Sequence, residues 1–408
     1  MFKNIDTAIA FINSCKVKIK DQKNLKTVLK KYNNFQEEIK TIHITGTNGK
    51  GSSSKMLHDV LSEANYKVGL FTSPHMVVAN DRIRINNEYI KDLDIIEILN
   101  FYYNDIVEYK LNFFQIYVLI ALTYFYKEKV DYAVVEVGIG GRLDATNVVS
   151  SILSIITNIN KDHTKRLGES LEEIAFEKAG IIKKDTFTIT GVKEKKLLDI
   201  IETKANENNT KLIKVDFNKA ELANKQLFFK YGNKQYSLNS QALYQANNAQ
   251  IVLAAIDVLI NNYGLNISEK AVKKAFNNFF WLGRFETIAN NPNIIIDGAH
   301  NIAGIKALIA SVKDKERVVV IFSALKDKNY LDMLSLLKEN FKEVVFCEFD
   351  FYRSLKRDNL KKIDVEKFKN FDDSLNYLLN KYKNHDILVC GSLYFISEVR
   401  KSVLKEID

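Results

Sequence analysis

Short apolar runs alternate with helical patterns along this chain, and no other feature restricts its fold as much. In the first 160 residues these runs are IKTIHITG, KVGLFTS, DYAVVEVG and SILSIITNI. Strands that crossover helices cover on both faces are apolar along their whole length. The sequence therefore predicts an α/β protein whose mostly parallel sheet lies under helices.

The same pattern restarts after residue 290. Residues 290–293 carry Pro292, one of only two prolines in the chain. Four further apolar runs follow, separated by helical patterns: NIIIDGAHN, RVVVIFSAL, EVVFCEF and DILVCGS. We therefore expect a first domain over residues 1–290 and a second, smaller α/β domain over residues 291–408.

Composition and hydropathy favour a reducing cytoplasm. Cys15, Cys347 and Cys390 are far apart, so neither a disulfide framework nor a zinc spacing is indicated. The N-terminus has no long apolar segment of the kind found in secretory signals. Residues 113–126 form the longest apolar run, but this run is too short to span a bilayer and contains Gln115. It therefore predicts a buried helix.

The formal net charge of +9 is compatible with nucleic acid, a membrane surface or small anionic substrates. The lysines are scattered through amphipathic stretches such as KKLLDIIETK, where they read as solvated side chains. No basic block with interleaved aromatic residues stands out, and such a block is the usual signature of nucleic-acid binding. We expect no nucleic-acid partner.

A turn rich in glycine lies between a predicted strand and a predicted helix in residues 41–61 (TIHITGTNGKGSSSKMLHDVL). It is similar to a phosphate-binding loop but departs from the pattern G-x-x-x-x-G-K-[ST]. With Lys50 as the lysine of that pattern, Ile44 stands where its first glycine should be and Gly51 where its serine or threonine should be. The turn is therefore either a nucleotide site with a different loop or a polar connection.

The chemistry of the turn favours an anion. Gly46 and Gly49 permit backbone angles that let N–H groups face inward. A helix that begins at about residue 52 would add the favourable end of its dipole. Lys50 could reach terminal phosphates, and Ser52 or Ser53 stands where a magnesium ligand is expected.

The next polar segment is FTSPHMVVANDRIRIN, which follows a predicted strand. Ser73 offers a hydroxyl near the carboxyl end of that strand, and Pro74 fixes the chain after it. Arg82 and Arg84 are two residues apart, so on a strand they would share one face. A solvated charge is the alternative for each arginine.

Glu136 stands inside an apolar run, where a carboxylate is costly unless it is paired or binds a cation. A magnesium role suits it. Gly138, Gly140 and Gly141 would let a ligand approach the backbone. The dinucleotide fingerprint G-x-G-x-x-G is not satisfied, because Leu143 stands where its third glycine should be.

Further candidates follow later strands. Asp162 and His163 come after an apolar run, and Lys178 stands on a predicted helix that Gly180 would terminate. A structural histidine and a solvated lysine are the alternatives here. In the second domain Asp297, His300 and Asn301 cluster after IIID. Polar residues at the carboxyl end of a strand suit a ligand crevice, and an ordinary turn is the alternative.

Eight segments in this order resemble the folylpolyglutamate synthase/dihydrofolate synthase family, within the wider Mur ligase group. They are TGTNGKGS, FTSPH, EVGIGGRLDATN, DHTKRLG, EKAGI, LGRFE, DGAHN and CGSLYF, and they run from about residue 40 to residue 400. The family's phosphate loop breaks the common consensus in the same way. The resemblance implies Mur ligase architecture, with a P-loop-type domain followed by a smaller Rossmann-like domain, in a cytoplasmic monomer.

The resemblance also implies a reaction. ATP, L-glutamate and either dihydropteroate or a reduced folate would be the substrates, with magnesium at two sites. The acceptor carboxylate would attack the γ-phosphorus of ATP and become an acyl phosphate, and the amine of glutamate would then displace phosphate. Such a reaction needs positioning and neutralisation of charge more than covalent chemistry by the protein.

Site residues carried over from the family fall into four groups. Those that would contact ATP are Thr47, Asn48, Gly49, Lys50, Asn247, Arg284 and Asp297. Those that would hold magnesium are Ser73, Glu136 and His163. Those near the acceptor or the incoming glutamate are Arg82, Leu143, Asp144, Ala145, His300 and Ser392. The catalytic set is Lys50, His163, His300 and Lys178, the last matching the lysine that the family carbamylates with CO₂.

One segment departs from the family. A segment reading roughly D-L-G-L-E-R usually precedes the phosphate loop and helps bind dihydropteroate, and residues 16–32 (KVKIKDQKNLKTVLKKY) hold no recognisable equivalent. Two possibilities stay open, namely synthesis of dihydrofolate together with folate lengthening, or folate lengthening alone.

Two other hypotheses compete with this family. A Mur-type ligase for a cell-wall precursor is opposed by the segments GGRLDATN and EKAGI, and by a phosphate loop that begins only about 45 residues into the chain. A basic nucleotide-dependent switch that binds nucleic acid would use the same loop and the net charge of +9. A salt-sensitive shift on RNA or DNA would support the switch, and glutamate-dependent ATP turnover would oppose it.

Overall fold

The computed structural model describes residues 1–17 and 21–405, and the chain divides into two compact units. The first unit comprises residues 1–219, 229–238 and 247–279, and the second comprises residues 220–228, 239–246 and 280–408. The second unit includes residues 280–290, which the boundary predicted at residue 290 leaves with the first domain. The reason is that the strand Glu286–Ala289 pairs antiparallel with the strand Ile294–Asp297.

A mostly parallel sheet forms the centre of the first unit, as predicted. Its strands are β1 (Thr41–Thr45), β2 (Val68–Phe71), β3 (Ile83–Ile85), β4 (Glu88–Tyr89), β5 (Tyr132–Glu136), β6 (Ser151–Ile156), β7 (Phe187–Thr190) and β8 (Lys211–Lys214). Their order is β4-β3-β2-β5-β1-β6-β7-β8. Only β3 and β4, at one edge, pair antiparallel. The carboxyl ends of β2, β5, β1 and β6 therefore meet at the same edge of the sheet.

Helices connect and cover these strands. Up to residue 279 they are α1 (Ile5–Ser14), α2 (Lys23–Lys31), α3 (Lys50–Glu63), α4 (Asp92–Phe101), α5 (Tyr103–Glu108), α6 (Phe113–Lys127), α7 (Thr164–Leu167), α8 (Leu171–Ala179), α9 (Lys195–Glu207), α10 (Tyr244–Tyr263) and α11 (Glu269–Asn277). One apolar cluster joins α1, α2 and α6 to β2 and β5, and a second joins β6, α8 and α9. The predicted burial of strands under helices is confirmed.

The apolar run at residues 113–126 is the buried helix α6. Asn112 caps its N-terminus, and the Gln115 side chain accepts from the Asn112 N–H at 3.1 Å, which completes a capping box. The polar residue in this run thus belongs to the start of the helix. Within the described residues, no helix combines the length and apolar character that a membrane crossing requires.

The second unit contains its own sheet. A separate, three-stranded sheet comes earlier in the chain. Its strands are β9 (Ala220–Ala223), β10 (Gln226–Tyr231) and β11 (Lys234–Leu238), in the order β11-β10-β9. The larger sheet contains β12 (Glu286–Ala289), β13 (Ile294–Asp297), β14 (Val318–Phe322), β15 (Glu343–Cys347), β16 (Glu366–Phe368) and β17 (Asp386–Cys390), ordered β12-β13-β17-β14-β15-β16. All of its pairs except β12–β13 are parallel.

Helices α12 (Ile302–Ser311), α13 (Tyr330–Asn340) and α14 (Phe371–Lys381) lie between these strands in the chain, and α15 (Leu393–Lys405) follows β17. An apolar cluster that includes Leu308, Leu337 and Phe322 packs the helices on the sheet. The restart of the pattern after residue 290 is thus a Rossmann-like arrangement, as predicted.

Candidate active site

The phosphate-loop candidate follows the carboxyl end of β1. Gly49 has a φ of 83°, a left-handed conformation that favours glycine, and α3 begins directly after it at Lys50. The helix thus starts about two residues earlier than the sequence predicts. Its N-terminus, with the positive end of its dipole, faces the turn that carries Thr47 and Asn48. The Lys50 ammonium donates back to the carbonyls of Gly46 at 3.0 Å and Thr47 at 3.1 Å.

Residues after the neighbouring strand β6 brace this loop. Asn158 accepts from Thr47 N–H through its carbonyl at 2.9 Å and from Asn48 N–H through Oδ1 at 3.0 Å. The hydroxyl of Thr157 donates to the Asn48 carbonyl at 2.6 Å, and Thr47 Oγ1 donates to the Asn160 carbonyl at 3.0 Å. Sequence reasoning did not assign Asn158 to the site, although TNIN directly follows a predicted strand.

Helix α10 approaches the loop through Asn248. A Cβ added to Gly49 would lie 2.3 Å from Asn248 Oδ1, which leaves no space for a side chain there. Asn247, the residue predicted to contact ATP, is exposed. Both asparagines line a cavity of about 390 Å³ beside Asn158, together with Phe217 and other residues of the first unit.

We expect Gly49→Ala to weaken nucleotide binding strongly, because the alanine Cβ would displace Asn248 and the left-handed φ would strain the loop. The KM for ATP should rise about tenfold or more, and the free energy of unfolding should fall by about 2 kcal/mol. Enzyme kinetics and chemical denaturation measure the two effects.

The matched control is Gly264→Ala, since Gly264 has a φ of 70° and open space around it. This control should lose about 1 kcal/mol of stability and keep its KM for ATP. An equal rise in KM in both variants would contradict the contact with Asn248.

Ser73 and Glu136 meet at the carboxyl ends of β2 and β5. The buried Glu136 Oε2 accepts from the Ser73 N–H at 3.0 Å. His163 lies beyond β6 in the left-handed region, with a φ of 51°, and its Nε2 is 3.9 Å from Asp162 Oδ1. Residues 1–17 and 21–405 contain no cluster of three His, Cys, Asp or Glu side chains arranged for a metal.

Lys178 is buried on α8, and only 3% of its surface is exposed. Burial, together with the Lys50 ammonium, holds the pKa of Lys178 well below its usual range, against the opposing pull of Asp162 and Asp144. Lys50 and Lys178, the two lysines predicted to be catalytic, thus lie close enough to interact electrostatically. A lowered pKa favours the neutral, nucleophilic form of the amine over the ammonium.

The loop after β5 packs against several elements. Thr45 Oγ1, at the end of β1, donates to the Gly140 carbonyl at 2.6 Å. Asp144 is buried and accepts from the N–H of Ile139 and Thr146, both at 3.0 Å. Of its neighbours, Ala145 is buried and Leu143 is exposed. Asp144, predicted to bind the acceptor, therefore holds the shape of its own loop.

Gly180 ends α8 as predicted, but its φ is −64°, so no left-handed cap requires glycine. It is glycine because an added Cβ would lie 2.5 Å from Arg142 Cα. Arg82 ends the turn Ala79–Arg82, and only Arg84 lies on a strand, so the expected shared face does not form. Arg82 donates to His75 Nδ1 at 3.1 Å and lies over the Tyr117 ring.

In the second unit, Asp297 ends β13 and is fully hydrogen-bonded. It accepts from Phe285 N–H at 2.9 Å, from Ala299 N–H at 2.8 Å and from the Tyr244 hydroxyl at 2.6 Å. Burial raises the pKa of Asp297, and the Arg284 guanidinium opposes that rise. Arg284 and Asp297, both predicted to contact ATP, thus lie close enough to interact electrostatically. Tyr244 was missed, because nothing in YQANNA indicates that its hydroxyl reaches this strand.

His300 and Ser392 follow the adjacent strands β13 and β17. His300 Nδ1 is 2.7 Å from the Gly298 carbonyl, an acceptor, so Nδ1 carries a proton. The Ser392 hydroxyl is buried, and within the described part of the chain no group hydrogen-bonds to it. Both side chains thus lie at the carboxyl edge of this sheet, where ligands of α/β proteins bind.

Comparison with known families agrees with this arrangement. The Mur ligase middle domain matches residues 44–256, and the Mur ligase glutamate ligase domain matches residues 283–393. The fold and the phosphate-loop site therefore define a Mur ligase, an ATP-dependent enzyme that forms amide bonds.

Individual relatives narrow the class. The chain is 34% identical to the dihydrofolate synthase/folylpolyglutamate synthase of Bacillus subtilis (strain 168), over 92% of this chain and 93% of that protein. Among solved structures, the "FPGS-AMPPCP-folate complex" is 28% identical with a TM-score of 0.89, covering 98% of this chain and 100% of that one. The structure of "E.coli FolC in complex with DHPP and ADP" is 25% identical with a TM-score of 0.87, covering 100% and 99%. The chain belongs to the folylpolyglutamate synthase/dihydrofolate synthase family, which confirms the resemblance found in the sequence.

Proposed function

We propose that this enzyme joins L-glutamate to a reduced folate or to dihydropteroate at the expense of ATP. The observation that carries the proposal is the braced phosphate loop, with Lys50 beside the buried Lys178 and with Glu136 at the neighbouring strand end. In this proposal residues 1–290 form the domain that binds ATP and the folate, residues 291–408 form the glutamate ligase domain, and the enzyme acts as a cytoplasmic monomer.

The reaction needs two displacements. An oxygen of the acceptor carboxylate attacks the γ-phosphorus of ATP, ADP leaves, and an acyl phosphate forms. The amine of glutamate then attacks the acyl carbon, and inorganic phosphate leaves with the bridging oxygen. Lys50, with the loop residues Thr47, Asn48 and Gly49, neutralises and holds the phosphates.

Other residues would act on the nucleotide and on glutamate. Asn247, Arg284 and Asp297 would contact the remainder of the nucleotide. Arg82, His300 and Ser392 would bind the incoming glutamate. Histidine is the usual general base, so His300 would take the proton that the ammonium group loses before attack.

Magnesium suits the residues at the sheet edge. Magnesium takes one or two protein carboxylates together with phosphates and water, and Glu136 is a buried carboxylate that accepts from the Ser73 N–H. Ser73 and Glu136 would hold one ion, and His163 would hold a second. When bound, magnesium neutralises charge on the transferring phosphoryl group.

We expect Glu136→Gln to lower magnesium-dependent turnover by on the order of 100-fold, and to raise the magnesium concentration at half-maximal rate. Glutamine keeps an oxygen that accepts from Ser73 N–H, so the fold should persist while the charge is lost. The exposed Glu128→Gln serves as a control. A Glu136→Gln enzyme with unchanged magnesium dependence would contradict the assignment.

Lys178 is proposed to carry a carbamate. Its neutral amine would add to CO₂ and lose a proton, which converts the side chain to an anion. The Lys50 ammonium would stabilise this anion. Asp162 and Asp144 would repel the anion, so the carbamate needs a further cation nearby. Magnesium at this site would meet that need.

The segment that usually binds the acceptor in this family differs in this chain. The D-L-G-L-E-R-type segment is not recognisable in residues 16–32, of which residues 18–20 lie outside the described residues. Gln22, in the same segment, nevertheless donates to the Arg142 carbonyl at 3.3 Å. This contact places the segment beside the loop that carries Leu143 and Ala145, so we propose that a different sequence binds the acceptor here.

Phosphate release and product mass test the function directly. The enzyme is supplied with MgATP and L-glutamate, and dihydropteroate is compared with a reduced folate as acceptor. Products from both acceptors would establish both activities, and a product from the folate alone would limit the enzyme to lengthening. Turnover with neither acceptor would contradict the proposed function and return attention to other Mur ligase substrates.

A further inference from the structure

A buried hydrogen-bonded chain runs from the middle of β1 to the loop after β5. His43 is fully buried, and its Nε2 lies 2.8 Å from Thr146 Oγ1. The Thr146 hydroxyl donates to Asp144 Oδ1 at 2.6 Å. Asp144 in turn accepts from the N–H of Ile139 at 3.0 Å. His43 is thus connected, through two side chains, to the backbone of the glycine-rich loop.

The direction of each bond follows from the number of protons available. A hydroxyl has a single proton, and that of Thr146 goes to the Asp144 carboxylate. Thr146 Oγ1 must therefore accept from His43, so the ring carries its proton on Nε2. His43 Nδ1 is left bare and buried, and no described residue hydrogen-bonds to it. An unpaired acceptor in a core lowers stability. We therefore infer that histidine is present at this position for the hydrogen bond that Nε2 donates.

The same face of β1 contacts the loop twice. His43 and Thr45 are two residues apart on the strand, so their side chains share a face. Thr45 donates to the Gly140 carbonyl, and His43 reaches the loop through Thr146. The loop has little room to shift, since a Cβ added to Gly138 would lie 2.5 Å from the Phe114 ring.

We propose that His43 is a positioning residue, which fixes the loop of residues 138–146 against the strand that carries the phosphate loop. This inference rests on the proposed function, in which Leu143 and Ala145 of this loop contact the acceptor. His43 would thereby set where the acceptor carboxylate lies relative to the γ-phosphate, without touching either. Burial and the nearby Lys183 hold the pKa of His43 well below its usual range, which favours the neutral ring.

The test compares two variants of Thr146, the side chain that connects His43 to Asp144. Thr146→Val keeps the shape and removes the hydroxyl, while Thr146→Ser keeps the hydroxyl. We expect Thr146→Val to raise the KM for the acceptor about tenfold with the KM for ATP within about twofold, and Thr146→Ser to stay near the unchanged enzyme. Equal rises in both KM values, or equal behaviour of the two variants, would overturn the proposal.

A spectroscopic measurement tests the chain independently of turnover. Nitrogen-15 NMR of the imidazole rings, with His43 assigned from its loss in a His43→Gln variant, reports which ring nitrogen carries the proton. We expect Nε2–H with a bare Nδ1, and a proton on Nδ1 would overturn the proposal. If the unchanged enzyme forms no product with any acceptor, the proposed function fails. The tautomer of His43 then tests the hydrogen bonds from His43 to Asp144 on its own.

Discussion

Lys50→Met should lower kcat/KM by on the order of 100- to 1,000-fold while the protein stays folded. The Lys50 ammonium lies at the start of α3, among the carbonyls of the loop that would hold the phosphates. Charge that develops on the transferring phosphoryl group would lose the stabilisation that the Lys50 ammonium provides. Initial rates at saturating and limiting ATP measure the effect, and thermal unfolding monitors the fold.

The control for this prediction is Lys195→Met, which removes an exposed lysine at the start of α9. This variant should keep the rate of the unchanged enzyme. If Lys50→Met retained a rate within about threefold of the unchanged enzyme, the loop would not be the site of phosphoryl transfer.

Lys178→Ala should be almost as damaging, with a loss on the order of 100-fold or more, and small carboxylic acids should restore part of the rate. A carbamate presents two oxygens on a long stem, so acetate or propionate could occupy the space left by the side chain. Burial and the Lys50 ammonium hold the pKa of Lys178 well below its usual range, which favours the neutral amine that adds CO₂. The unchanged enzyme should therefore lose activity in CO₂-free buffer and regain it with bicarbonate.

Two outcomes would contradict the carbamate. One is full activity of the unchanged enzyme after exhaustive removal of CO₂. The other is rescue of Lys178→Ala by alkylamines and not by carboxylic acids, since this would show that the amine itself is needed. A high-resolution electron-density map of crystals grown with bicarbonate would show the modification directly.

Burial pattern and turn chemistry predicted most of the fold. The runs that became β1, β5 and β6 are apolar because both faces of a parallel strand are covered, and this signal is strong in a single sequence. The position of Glu136 was equally informative, because a carboxylate in such a strand must have a local reason. The structure gives that reason, as Glu136 accepts from Ser73 N–H at the edge of the sheet.

The residues that sequence reasoning missed act across strands. Asn158 braces the phosphate loop only because β6 is the neighbour of β1, and strand order is not visible in composition or spacing. Tyr244 reaches Asp297 from a position 53 residues earlier in the chain. Gly180 depends on a long-range contact as well. The sequence suggested that glycine is needed there to end the helix, but the structure shows that it is needed because Arg142 lies too close for a Cβ.

The role of His43 also depends on such a long-range contact. In the sequence it is one polar residue in TIHIT, where a satisfied core histidine is the ordinary interpretation. Its function in the proposal comes from Thr146, which lies more than a hundred residues away. Pairings of this kind become predictable only when the strand register is known, because a shift of one residue would turn His43 to the other face of the sheet.

Transfer of oxygen-18 from the acceptor to phosphate tests the central claim most directly. The acceptor is labelled in its carboxylate and supplied with MgATP and L-glutamate in unlabelled water. The proposed acyl phosphate requires that each inorganic phosphate released carries one oxygen from that carboxylate, at a label content equal to that of the acceptor. Unlabelled phosphate accompanied by amide product would contradict the acyl phosphate and with it the mechanism proposed for this site.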